Sequence, residues 1–253
     1  MKKLSTLLVL LFSFTMLMAQ EKTEFVIINY RADIQMDMET ILKSVPEQFR
    51  AQTKSMLKGE VEKGIVLNYT LKTNGKKSVY QLDAKLDNSQ TQGGMIANQI
   101  KQADKDPMFK DLEKDLYMKA VKIPGFKDYL ISDSLNTIKW EITREKSKIL
   151  NFEVRKAIGK RDSIEVIAWF APKLAIKDGP DRFTGLPGLI LKAEFEQNGA
   201  DMTITATQVD IKEEEINIDL PKGKTVTEEQ FKKEMEEFAE KMKAMMGNGV
   251  DTQ

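Results

Sequence analysis

Asp178 and Asp181 flank Gly179-Pro180, and Arg182 follows, so one turn carries two carboxylates beside a cation. Paired carboxylates serve acid–base catalysis, and they bind Ca2+ when enough oxygens converge. Their spacing matches no calcium loop, and Asp beside Gly and Pro is ordinary turn chemistry. Phe183, just downstream, joins Trp140, Trp169 and Phe170 as aromatic candidates for the wall of an apolar ligand pocket. Trp169 and Phe170 are neighbours in one strand pattern, so they point to opposite faces and only one can line a given pocket. Met235, Met242, Met245 and Met246 carry thioethers of the kind that hold Cu(I). The first two share a helical stripe with Phe231 and Phe238, where methionine fills apolar gaps. Ser55 and Lys58 have Ser-x-x-Lys spacing without the motifs that accompany it in hydrolases, and the same spacing arises on any helix face.

Composition removes further chemistry. The 253 residues include no His and no Cys, which excludes a His-based triad, a Cys nucleophile and an ordinary zinc site. Acidic and basic residues balance and are interspersed, so no field for nucleic acid is expected. Lys2 and Lys3 precede an apolar run from Leu4 to Met18, and Ala19-Gln20 offers a small residue for cleavage. Residues 1–19 therefore read as a secretory signal peptide, shorter than the about 20 apolar residues of a membrane span. No transmembrane span is expected in the mature chain.

Elements able to position these residues follow from periodicity. Val26, Ile28, Tyr30, Ala32, Ile34 and Met36 alternate as a strand with one buried face. Ser44 and Glu47 have capping-box spacing and open a helix to about Lys63 that places Val45, Phe49, Met56 and Leu57 near one face, after a short turn of helix at 39–43. Asn74-Gly75 and Asn198-Gly199 each sit between alternating segments, the pattern of a type I′ hairpin. Residues 88–114 read as a polar insertion or a partly helical loop. Alternation at Tyr129, at Ile138 to Ile142, around Gly159-Lys160, at Leu191 to Ala206 and at Ile216 and Ile218 marks a series of short strands. Thr227 and Gln230 form a second capping box, opening a terminal helix, with residues 244–253 frayed.

The run Gly185-Leu186-Pro187-Gly188-Leu189-Ile190 places a turn directly before a buried strand, and Pro187 and Gly188 suit the centre of a type II turn. It contains no titratable or nucleophilic side chain. With Trp140-Glu141-Ile142-Thr143, Ala168-Trp169-Phe170-Ala171-Pro172 and Pro221-Lys222-Gly223-Lys224, this run resembles the GLPGLI family of exported proteins from Gram-negative bacteria. Val154 stands where many relatives carry Cys. The resemblance implies export and a fold, and it supplies no activity to carry over.

The expectation is an α+β domain over residues 20–253. It is built on a mostly antiparallel, strongly curved, half-barrel-like sheet with an early and a C-terminal amphipathic helix. The role expected is non-catalytic binding of an apolar ligand or a cell-envelope protein in the periplasm, with no cofactor and no nucleic acid. Two other roles compete: a carboxylate-based hydrolase, and an assembly factor for an outer-membrane transport system. A ligand carrier predicts a deep apolar cavity walled by Trp140 or Trp169.

Overall fold

A computed structural model describes residues 25–83, 94–123, 126–135, 138–161, 163–213 and 217–247, with side chains up to 242. The expected signal segment and residues 248–253 lie outside them. The chain forms β1 (Phe25–Met36), α1 (Met38–Lys43), α2 (Glu47–Lys63), β2 (Ile65–Thr73), β3 (Lys77–Leu82), α3 (Met95–Ala103), β4 (Met108–Asp111) and β5 (Leu116–Lys122). It continues with β6 (Asp128–Ser134), β7 (Glu141–Ile149), β8 (Phe152–Arg161), β9 (Ile164–Ala171), β10 (Leu189–Gln197), β11 (Ala200–Lys212), β12 (Thr225–Val226) and α4 (Glu228–Gly247).

All the strands join one open, curled sheet in the order β12-β6-β5-β4-β3-β2-β1-β11-β10-β9-β8-β7. Each neighbour is antiparallel except the short β12–β6 pair. The fold is α+β with an early and a C-terminal helix, as the alternation implies. The first and last long strands, β1 and β11, meet at the centre from Phe25 opposite Lys212 to Met36 opposite Ala200. Alternate residues of β1 and β2, from Val26 to Ile34 and from Ile65 to Leu71, are buried on the concave face. That face also receives the loop 172–188, so the core is a sheet curled around its own longest connection.

The β1–β11 pair slips at Asn29/Tyr30 and the β9–β10 pair at Ile190/Lys192. Such bulges sharpen local twist and free a backbone group from the ladder. Tyr30 answers the second one: its buried hydroxyl donates to the Ile190 carbonyl at 2.6 Å. Burial first, and the nearby Asp178 second, raise the Tyr30 phenol well above its usual value, so it stays a neutral donor. Tyr30→Phe leaves that acceptor unpaired and should cost about 1–3 kcal/mol in urea unfolding. A cost near zero removes the tyrosine from the set of groups holding the bulge.

Several local readings are corrected by tertiary contacts. Ser44 ends α1, its hydroxyl donating to the Ile41 carbonyl, and α2 starts after Pro46 without a side-chain cap. α2 buries Leu57 and Val61 but leaves Phe49 and Met56 49% and 58% exposed, so the expected apolar face is rotated. The stretch 88–114 is, where described, partly helical as read, with α3 at Met95–Ala103, but it also contributes the sheet strand β4. Gly159 lies inside β8, under Ile138 and Trp140, which precede β7 instead of belonging to it. Ile218 is buried outside any strand, and Ile216 lies outside the described residues.

Turn chemistry divides the two Asn-Gly pairs. Asn198 and Gly199 have φ of 54° and 75°, the expected double positive of a type I′ turn between β10 and β11. At the β2–β3 turn Gly75 is positive but Asn74 is not. The Asn74 side chain instead accepts from the N–H groups of Lys76 and Lys77 at 3.1 and 2.8 Å. The second capping box forms as read: Thr227 N–H donates to Gln230 Oε1, and Gln230 N–H donates to Thr227 Oγ1. α4 then packs Phe231 edge-on to Tyr129 and Phe238 against Phe126.

Candidate functional site

The loop 172–188 is held against the sheet by backbone bonds and one buried ion pair. Leu189 N–H donates to Leu174 O, Ile190 N–H to Asp178 O and Gly185 N–H to Lys177 O. The run 185–190 therefore pairs with 174–178 of its own loop before entering β10. Its turn is tighter than type II, because Gly188 N–H reaches back to Leu186 O at 2.8 Å around Pro187.

Lys110 of β4 rises from the sheet into this loop and is fully buried. Its Nζ donates to Asp178 Oδ1 at 2.5 Å, Gly179 O at 2.6 Å and Asp181 O at 2.9 Å. An ammonium has three donors, and all three are used. Asp178 Oδ1 also accepts from Gly179 N–H, while Asp178 Oδ2 and Ser78 Oγ find no hydrogen-bond partner among the described residues. Ser78 lies directly across the β3–β4 register from Lys110. A buried pair with an unpaired oxygen is a structural clamp of high cost, and it fixes where the turn places Asp181.

Asp181 sits at φ 49° and directs its carboxylate back toward the concave face. Arg161 Nη1 donates to Asp181 Oδ2 at 3.1 Å, and the same guanidinium lies 4.7 Å over the Phe183 ring. Phe183 in turn meets Phe195 edge-on at 5.1 Å. Burial works to raise the Asp181 carboxyl, but the charges of Arg161 and Arg182 and the bonds they make bring it net below its ordinary 3.8. A carboxyl lowered by folding stabilises fully above its unfolded pKa and ceases to do so as pH falls through the folded value. The stability gap between wild type and Asp181→Asn, measured by urea unfolding, should therefore be full above the ordinary carboxyl value of 3.8 and close as pH falls below it, through the folded value. A gap that is flat with pH removes the Arg161 pairing as its source.

A cleft of about 180 Å3 opens beside Asp181 on the concave face. Its apolar wall is Tyr69 of β2 and Tyr80 of β3, stacked at 4.9 Å with planes 6° apart, with Met108, Phe195, Met202 and Ile204 around them. Ala32, opposite both Leu67 and Ile204 in the central ladders, keeps the floor low. The polar rim includes Asp104, Asp106 and Lys119. Asp104 is placed by α3, whose first N–H groups are held by Glu60 of α2 at 3.1 and 3.2 Å. Tyr69 donates to Asp104 Oδ2 at 2.8 Å and Lys119 Nζ to Oδ1 at 2.9 Å. Burial, then Asp104, raises the Tyr69 phenol far above its usual range, so it remains a donor. A broader groove of about 830 Å3 crosses the outer ends of β9, β10 and β11 between Glu165, Ile167, Glu196 and Asn198.

Of the aromatic and carboxylate candidates from the sequence, Asp181 lines the cleft. Asp178 is buried beneath it in the clamp, and Phe183 and Phe170 are core. Trp140 donates its indole N–H to Thr184 O at 2.8 Å and supports the loop from the far side. Trp169 is half-buried, between Lys156 and Lys192 on the neighbouring strands. The expected deep cavity walled by tryptophan is replaced by a small cleft walled by tyrosine, because the 172–188 loop fills the sheet interior. The carboxylates converge on no metal set: among the described residues no group of three or more His, Cys, Asp or Glu suits an ion. Tyr69, Tyr80, Asp104 and Lys119 are not among those candidates. Tyr69 and Tyr80 lie on the buried phase of their strands, and that phase was their only signal.

Comparison with known proteins identifies a short match. A family model described as a protein of unknown function (Porph_ging) covers residues 159–192. That stretch contains Arg161, β9, the clamped loop and the run 185–190. No curated protein matches the chain. Among solved structures, PNGF-II in space group P21 is 17% identical with a TM-score of 0.51, covering 83% of this chain and 32% of that one. PNGF-II in space group C2 is 18% identical with a TM-score of 0.47, covering 77% and 28%. The chain thus spans about a third of the PNGF-II length or less. A putative outer membrane lipoprotein-sorting protein domain from Vibrio parahaemolyticus is 7% identical with a TM-score of 0.32, covering 74% and 85%. At these identities the likeness to the P21 structure concerns the fold. Among the described residues no helix is long and apolar enough to cross a membrane.

Proposed function

We propose that this chain is an exported cell-envelope protein of the GLPGLI type that binds a small moiety of a ligand or partner without catalysis. The observation that carries the reading is the cleft between the Tyr69–Tyr80 stack and the carboxylates of Asp104 and Asp181. Small-molecule sites combine a mostly apolar wall with a few convergent polar groups, and this cleft has that composition. Its volume suits one ring or one short chain, not a whole lipid. Asp178, Phe183 and Trp140 belong to the proposal as supports of the loop that carries Asp181. The rival hydrolase needs a carboxyl raised toward neutrality to act as an acid, and Asp181 is held the other way.

Met108 and Met202 line the cleft, whereas Met56 lies on exposed α2. In protein labelled at methionine methyls, a soluble envelope extract and a panel of small compounds should shift the Met108 and Met202 signals and leave Met56 in place. If no extract fraction or compound moves either signal, the cleft is not a binding site.

A further inference from the structure

The charges around the cleft do not cancel. Lys119 is bonded to Asp104, and Arg161 is bonded to Asp181. Asp106, at the same rim, has no ion-pair partner among the described residues. One negative charge is therefore left over at the mouth of an apolar, aromatic cleft. Asp181 adds to it directionally: its side chain is still 34% exposed, so it keeps acceptor capacity beyond the bond to Arg161.

Resting on the cleft reading above, we propose that the occupant is a monocation on a short apolar stem. A primary alkylammonium or a guanidinium fits, with its stem against Tyr69, Tyr80 and Met108 and its head between Asp106 and Asp181. Three physical terms favour it. The stem buries apolar area against the aromatic and methionine wall. Carboxylates make their strongest hydrogen bonds to ionised donors. A neutral stem of equal shape would cover the carboxylates without bonding them, which penalises it. An anion would meet the uncompensated charge directly. The same head is presented by a free amine and by a lysine or arginine side chain of another exported polypeptide, so the source is a separate question with its own measurement.

The test titrates the full chain with pentylammonium, with 1-pentanol as its neutral isostere, with glucose as a neutral polyol, and with lysine capped at both ends. The readout is again the Met108 and Met202 methyl signals. Pentylammonium or capped lysine should bind at least about tenfold more tightly than pentanol. Asp106→Asn should remove most of that preference while the Met56 signal stays fixed. Binding of capped lysine without pentylammonium supports the proposal with a polypeptide source, and the reverse supports it with a free amine. Pentanol or glucose binding as well as the cations overturns the cation assignment and leaves the cleft reading standing. If none of the probes moves Met108 or Met202 while an envelope extract does, the cation assignment fails alone. If neither probes nor extract move them, both readings fall.

Discussion

Lys110→Met should lower the stability of the protein by about 3–5 kcal/mol, read as a fall in the urea midpoint at constant slope. The substitution keeps the stem and removes the ammonium, so packing changes little. What changes is that Asp178 becomes a buried carboxylate without its cation, one of whose oxygens already has no partner. The carbonyls of Gly179 and Asp181 lose their donor at the same time. Replacing both partners, Lys110→Met with Asp178→Leu, should recover a large part of the loss, because two apolar side chains do not need each other's charge. The double-mutant cycle then gives the coupling directly. A loss below about 1 kcal/mol for the single variant would mean that the pair is not what holds the loop.

Gly188→Ala should cost about 2–6 kcal/mol, from overpacking and backbone strain of about 1–3 kcal/mol each. Gly188 has φ 157°, and a Cβ there would lie 2.4 Å from the Ala171 carbonyl oxygen and 2.8 Å from its carbon. Both atoms are backbone at the end of β9, so neither can swing aside. Gly59 is the control within the same protein. It lies in α2 with nothing within 4 Å of a built Cβ, and Gly59→Ala should stabilise by about 0.5–1 kcal/mol. Equal, small effects at both positions would refute a close-approach role for Gly188. The run 185–190 is in this sense architecture: it lets β10 begin hard against β9 while its own loop carries Asp181.

The series of strands was legible because alternation is a local record of burial: every second residue from Val26 to Ile34 and from Ile65 to Leu71 is apolar, and those residues are buried. Asn198-Gly199 and the Thr227–Gln230 box were legible for the same reason, since each satisfies its own backbone within a few residues. Ser44 shows the limit of such rules, as its hydroxyl had a carbonyl available on the preceding side as well and bonded there. Residue type and spacing present Asp178 and Asp181 as one carboxylate pair, yet the structure separates them into a buried clamp and a cleft wall.

Lys110 is the plainest case of what residue type and spacing do not carry. In a polar stretch a lysine reads as solvated, and burying it is prohibitive until three acceptors meet its ammonium. Those acceptors belong to Asp178, Gly179 and Asp181, far along the chain, and only the curl of the sheet brings them over β4. The cleft has the same origin, because Tyr69, Asp104 and Asp181 come from a strand, a helix end and a loop. The run Gly185 to Ile190 marked the loop from sequence alone through its backbone demands, which are local. The side chains the loop gathers are set by long-range burial and charge pairing, which are not.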